Sequence, residues 1–420
     1  MQAGNINAKE PAMPVARFRA LALAVVLALL PTLAVAAPPK ADAFENPPTL
    51  SATSLFPDAV LVGPNHSIDN KVVNDGYLNI YTLHSPKGDL RVESTALLFT
   101  RIQELTTAAA MDKVNVGAEM GKSLAKTTAG AVTGAFNLIV HPADSFSNVG
   151  KSFSRAQASM ESDRPKDGDG TMGELLGYNR AKREYAKAFS VDPYSTNPIL
   201  QTSLKRLAGA GFFGSFAASA AIPGGSAFVF LNNSNFTPQS AVDVATPPED
   251  LFASNRERLK GMGSTPNQAE LFVNNPHFDP ITQTRLVLAL DRMVGVGGRG
   301  EYTKFCILTD NDDLAFFRTR MAELYANLNA TTDRVARFVN AGRFIAAETP
   351  GNGFLAAFPL DYLAWTPTLA GIAQTLDNAA KAQGAKTKKL VVTGEVSPLS
   401  AKNLKKAGWT VVQLREGLRK

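Results

Sequence analysis

The stretch Lys389–Val412, KLVVTGEVSPLSAKNLKKAGWTVV, changes its hydrophobic period twice within a few turns of chain. Lys389–Val392 reads as a strand, Ser397–Ala407 as a helix that Gly408 stops, and Thr410–Val412 as a second strand. Strand, helix and strand in that order make a βαβ-like ending. Upstream, Arg343–Ala347 and Phe354–Phe358 flank the turn residues Pro350-Gly351-Asn352-Gly353 and predict a hairpin. Before it, Asp310 or Asn311 can cap a helix whose stripe is Leu314, Phe317, Met321, Leu324 and Leu328.

The amino-terminal half repeats the mixture. Tyr77–Leu83 and Leu90–Glu93 alternate in part around Ser85-Pro86-Lys87-Gly88, a second hairpin with proline and glycine at the turn. Ser94 or Thr95 can cap the helix that follows, with Leu97, Leu98, Ile102 and Leu105 as its apolar stripe. Another helix carries Tyr178, Ala181, Tyr185 and Phe189 and ends before Asp192-Pro193, and Asn197-Pro198 opens the next. The fold class is α+β, mostly helical with small antiparallel hairpins. The organisation is a signal peptide (1–36), a leader (37–50), a hairpin with Ala/Gly-rich helices (51–154), a linker (155–173), a helical middle region (174–300) and a C-terminal α/β unit (301–420).

The chain start has the layout of an export signal. Lys9, Arg17 and Arg19 precede the uncharged run 20–36, which ends Ala34-Val35-Ala36, so cleavage is expected after Ala36. The run is short for a spanning helix and contains Pro31. Cys306 is the single cysteine, so no intramolecular disulfide can form, and its run Phe305–Leu308 suits a buried side chain. These features suit a periplasmic protein. Residues 381–420 hold ten Lys and Arg against Glu395 and Glu416. Such a basic face can meet an anionic membrane or a cell-wall polymer, or simply be solvated. No aromatic residues interleave with its lysines as single-strand binders require, so nucleic acid is not expected.

Two segments raise the question of lipid contact. In Ala131–Pro142, AVTGAFNLIVHP, the residues Val132, Phe136, Ile139 and Val140 share a helical face, which suits a core helix or one lying on a surface. Gly117/Gly121 and Gly130/Gly134 have the small-xxx-small spacing of close helix pairs, but Lys113, Glu119, Lys122 and Lys126 exclude a span. Leu207–Leu231 lacks charge, yet Pro223-Gly224-Gly225 breaks it into a small-residue helix and a strand, Phe228–Leu231.

Motifs for chemistry are sparse. His66, His84, His141 and His277 lie far apart, without the local spacing of a zinc site. There is no Gly-x-Ser-x-Gly elbow and no Walker A loop. Gly295–Gly300 matches G-x-G-x-x-G, but Asp291 and Arg292 before it favour a helix end where the dinucleotide fingerprint needs a strand. Residues 163–174 place Asp163, Asp167, Gly168, Asp169 and Glu174 at calcium-loop positions, with Pro165 where a ligand belongs. Asp310–Asp313 suits a helix N-terminus. No cofactor and no catalytic residue is assigned.

The blocks Asn74–Leu83 (NDGYLNIYTL), Val92–Ile102, Gly177–Ala186 (GYNRAKREYA), Val191–Pro198 and Thr393–Val411 resemble those of a family of exported bacterial proteins of unknown function. The resemblance implies a signal peptide and an envelope location and brings no activity. The expectation is an exported envelope protein that binds or supports. The alternative is a periplasmic hydrolase for cell-wall or lipid substrates, its site assembled from distant residues.

Overall fold

The computed structural model describes residues 44–114, 172–209 and 242–414. The signal-peptide run, the 131–142 stripe, the Gly-rich segment from 115 on, most of the linker with its candidate calcium loop, and the uncharged run beyond Gly209 lie outside them.

The first hairpin forms with the expected pairing. Strands β5 (Asn79–His84) and β6 (Leu90–Glu93) are antiparallel, with Tyr81 opposite Val92 and Leu83 opposite Leu90. Alternation along β5 buries Asn79, Tyr81 and Leu83. Four shorter strands complete an antiparallel sheet: β1 (Thr49–Ser51), β2 (Val62–Gly63), β3 (His66–Ile68) and β4 (Lys71–Asn74), ordered β1-β4-β5-β3-β2. Two one-turn helices, α1 (Ala52–Leu55) and α2 (Asp58–Leu61), connect β1 to β2. Helix α3 (Thr95–Asp112) follows, and the Ser94 side chain accepts from the Leu97 amide as its cap. Leu98, Ile102 and Leu105 of α3 meet Tyr185 of α4 (Met172–Ala188), Phe189 just after it, and Leu200 and Leu204 of α5 (Pro198–Gly209), in one core.

Arg101 and Glu104 of α3 tie this layer to the 195–197 turn. Arg101 Nη1 reaches Glu104 Oε2 at 2.7 Å and Ser195 Oγ at 2.9 Å, and Asn197 Nδ2 donates to Glu104 at 3.0 Å. Buried ions need such partners on every side.

The second core joins helices to a mixed sheet. Helices α6 (Pro248–Gly261), α7 (Pro266–Val273), α8 (Pro280–Asp291), α9 (Arg299–Ile307) and α10 (Asp312–Thr331) precede it. Asn311 caps α10 through the Leu314 amide, with Asp312 and Asp313 in its first turn. The expected second hairpin is β8 (Phe344–Thr349) with β9 (Gly353–Phe358), and β7 (Arg337–Ala341) adds to its edge. Strand β10 (Tyr362–Leu363) follows, then α11 (Pro367–Ala382) crosses to β11 (Thr387–Val392), which lies parallel to β9. After β12 (Glu395–Val396), α12 (Pro398–Lys406) leads to β13 (Trp409–Gln413), parallel to β11. The βαβ ending is therefore preceded by a second one, and the sheet runs β13-β11-β9-β8-β7. All of β9 is buried: Tyr325 of α10 donates to the Leu355 carbonyl and accepts from the Ala357 amide, while Phe354 meets Trp409 edge-on. Among the described residues no helix is long and apolar enough to cross a membrane.

Gly295–Gly300 follows the helix α8, as its preceding residues suggested, and links it to α9. Its glycines serve packing. Gly298 has φ +68°, and a Cβ there would sit 2.4 Å from the Phe338 carbonyl oxygen; one on Gly300 would sit 2.6 Å from the Gly263 oxygen. The left-handed backbone costs an L-residue about 1–2 kcal/mol before any clash. Gly298→Ala is therefore expected to lower unfolding stability by at least ~2 kcal/mol, measured by urea denaturation, because strain and the backbone contact add.

Candidate functional site

A cavity of about 420 Å³ opens in the described fold, within the range of small-molecule sites. Its walls are set by two helices, each presenting residues at i, i+3, i+4 and i+7. Helix α11 contributes Leu369, Ile372, Ala373 and Leu376, and α10 contributes Leu314, Phe317, Arg318 and Met321. Between them stand Phe344, Phe358, Leu390 and Trp409 from four strands of the sheet, and Leu404 of α12. Leu360 and Leu363 arrive from the segment after β9, Tyr77 and Leu78 from the turn before β5. The cavity runs along one face of the sheet, from Phe358 at the end of β9 to Trp409 at the start of β13.

The lining is mostly apolar, with polar groups from Asp75, Asn311, Asp313, Arg318 and Arg343. Asp75 already accepts from the Tyr77 and Leu78 amides at 2.8 and 2.7 Å. Burial, with Glu93 nearby, raises the Asp313 carboxyl above its ordinary range. Arg318 is 7% exposed and lies over the Phe305 ring with its guanidinium carbon 4.0 Å from the centroid. Its Nη1 donates to the Phe305 carbonyl at 2.7 Å and to Thr309 Oγ1 at 2.8 Å, while Nε has no partner. Burial lowers its pKa, and it makes no ion pair among the described residues.

Asp361 holds the turn before β5 against the segment after β9. Its Oδ2 accepts the Asn79 and Thr95 amides, each at 2.9 Å, and its own amide donates to the Tyr77 carbonyl at 2.9 Å. Part of the residue meets solvent, but protein atoms enclose the carboxyl, and burial pushes its pKa up to about 6. A smaller recess of about 30 Å³ includes Asp361 and shares Leu78, Asp313 and Phe317 with the main cavity.

The histidines do not converge. His66 is buried with Nε2 3.0 Å from the Val60 carbonyl, and burial lowers its pKa. His84 sits on the surface between Asp69 and Asp89, whose hydrogen bonds raise its pKa. His277 lies 3.0 Å from Asp312, and His141 is outside the described residues. Cys306 is buried, and burial raises its thiol pKa far above the normal range. Of the Asp310–Asp313 cluster, Asn311 and Asp313 reach the cavity. Among the described residues no group of three or more His, Cys, Asp or Glu could hold a metal ion. Comparison of the chain with family models, curated proteins and solved structures finds no match.

The α10 stripe was legible in sequence as apolar, but periodicity does not say whether a stripe borders filled core or a void. Thr366-Pro367 opens α11 with the same cap-then-proline signal as Asn197-Pro198, with the Thr366 side chain accepting from Leu369. Arg318 has no sequence signal of its own beyond being a charge inside an apolar stripe.

The folded chain keeps a proton on Asp361 that the unfolded chain releases near pH 4. The stability contributed by protonating this group is full below pH 4 and is lost as pH rises through about 6, while its Oδ2 goes on accepting the two amides. Asp361→Asn retains an acceptor oxygen without the titration. Unfolding free energies measured from pH 4 to 7 should show wild type losing ~2–3 kcal/mol relative to the variant across that range.

Proposed function

We propose that this is an exported envelope protein that binds a small, mainly apolar molecule in the cavity between α10, α11 and the mixed sheet. One observation carries the reading: two helices and four strands present apolar side chains to a space of about 420 Å³ that the described residues leave unfilled. Well-packed cores leave few voids larger than a water molecule, and an apolar void of this size is a site for an apolar guest. Export rests on the signal-peptide layout of residues 1–36 and on the resemblance of the Asn74–Leu83, Gly177–Ala186 and Thr393–Val411 blocks to exported bacterial proteins.

The basic C-terminal region supports contact with an anionic surface. Lys388 and Lys389 are tied to Asp377 and Asp333, whereas Lys402, Lys405 and Lys406 stand exposed on α12, whose Leu404 borders the cavity. Replacing these three lysines with Gln should reduce co-sedimentation with anionic vesicles at low salt and leave neutral vesicles unaffected.

The hydrolase alternative has one point in its favour, that Asp75 and Asp313 border the same cavity. Asp75 is engaged by two backbone amides, however, and the lining contains no serine, threonine or cysteine beside either carboxylate. Binding is the better-supported reading.

A neutral apolar dye such as N-phenyl-1-naphthylamine tests it. The purified protein should bind it with roughly micromolar affinity and enhance its fluorescence. Ala373→Phe, which places a ring into the space below α11, should weaken binding at least tenfold with an unchanged circular dichroism spectrum. No dye uptake by the wild type would count against a ligand cavity.

A further inference from the structure

We infer that the ligand is a single-chain amphiphile with a carboxylate head, and that Arg318 is the residue that recognises the head. The inference rests on the cavity being a ligand site and adds the ligand's class. A guanidinium removed from water normally has a carboxylate or phosphate beside it, since an unpaired buried charge is costly. The protein meets that rule elsewhere: Arg285 and Arg320 share the fully buried Glu323, and Arg101 is paired with Glu104. Arg318 is as deeply placed and has no such partner.

What Arg318 does have accounts for only part of its donors. Nη1 closes the end of α9 through the Phe305 carbonyl and Thr309, and the Phe305 ring covers one face of the guanidinium. Nε is left without an acceptor. The residue borders the same cavity as Leu314, Phe317 and Met321, so an anion held there would lie beside apolar walls. Arg343 adds a second cation at the lining: it is exposed, pairs with no carboxylate among the described residues, and lies with its guanidinium carbon 5.4 Å from the Phe344 ring centre. Of the acidic groups around these cations, Asp75 accepts two backbone amides through Oδ1, burial raises the Asp313 pKa, and Asp310 acts on Arg318 without forming an ion pair with it. A planar carboxylate matches the fork of a guanidinium, and an acyl chain matches the apolar walls.

The test is displacement of the dye from the purified protein by dodecanoate, dodecanol and dodecylamine at neutral pH and matched chain length. Dodecanoate should displace at least tenfold more effectively than either of the others. Arg318→Met should bring dodecanoate down to the level of dodecanol while leaving dodecanol unchanged, and Arg318→Lys should restore part of the preference. A role of Arg318 in packing alone would change all three together. Should Arg318→Met fail to fold, the wild type still decides: the carbon-13 signal of carboxyl-labelled dodecanoate should titrate at lower pH bound than free. Equal displacement by acid and alcohol, or an unshifted bound carboxyl, would overturn the carboxylate assignment while the cavity reading stood. Failure of every chain compound to displace bound dye, or of the dye to bind, would overturn both.

Discussion

Much of this molecule depends on one carboxylate. Asp361 lies just after the central strand β9, and its Oδ2 takes the amide protons of Asn79 at the start of β5 and Thr95 at the start of α3. One side chain thus fixes the antiparallel sheet, the first long helix and the mixed sheet to a common point. Thr95 can present its amide there because Ser94 adopts a φ of +89°, a conformation that costs an ordinary residue about 1–3 kcal/mol. Ser94 is held in it by its own amide bonding the Asn79 carbonyl and by its side chain capping α3. Neighbouring backbone contacts reinforce the joint: Tyr362 donates to Tyr77, Ala364 to Gly76, and the backbone of Gly394 passes too close to Asp361 for any side chain.

The cavity follows from that joint. Tyr77 and Leu78 border it because the turn carrying them is pinned to the segment after β9, and Leu360 and Leu363 border it because they lie on that segment. The sheet leaves β9 under α11 and returns through β11, so α11 spans the space on one side while α10 holds its other boundary. Most polar groups at its lining (Asp75, Asn311, Asp313 and Arg343) come from loop and helix-start positions, while Arg318 comes from within α10. An apolar lining that also carries a few polar groups suits an amphiphile better than a purely hydrocarbon or purely polar guest.

The sequence carried the local structure well. Both hairpins, the Ser94 and Asn311 caps, the Asn197-Pro198 start and the βαβ ending form where turn chemistry and periodicity place them, since each depends on a few adjacent residues. The short strands β1 to β4 were not legible, because runs of two to four residues give period-2 alternation too little length to register. Asp361 and Arg318 were silent for a different reason. Asp361 bonds groups 282 and 266 residues away, and the meaning of Arg318 lies in the missing ion pair, which only a folded arrangement can display. The G-x-G-x-x-G run shows the reverse case, a recognisable motif whose glycines are required by close backbone contacts with Phe338 and Gly263.

The central claim is that the space between α10, α11 and the sheet holds a ligand. A crystal of the protein grown with 12-bromododecanoic acid tests it most directly, because bromine scatters anomalously and marks its own position. One strong bromine peak is expected within van der Waals reach of the cavity walls, among side chains such as Leu376, Leu390 and Trp409. Bromine peaks confined to the outer surface, or an unoccupied cavity at saturating ligand, would contradict it.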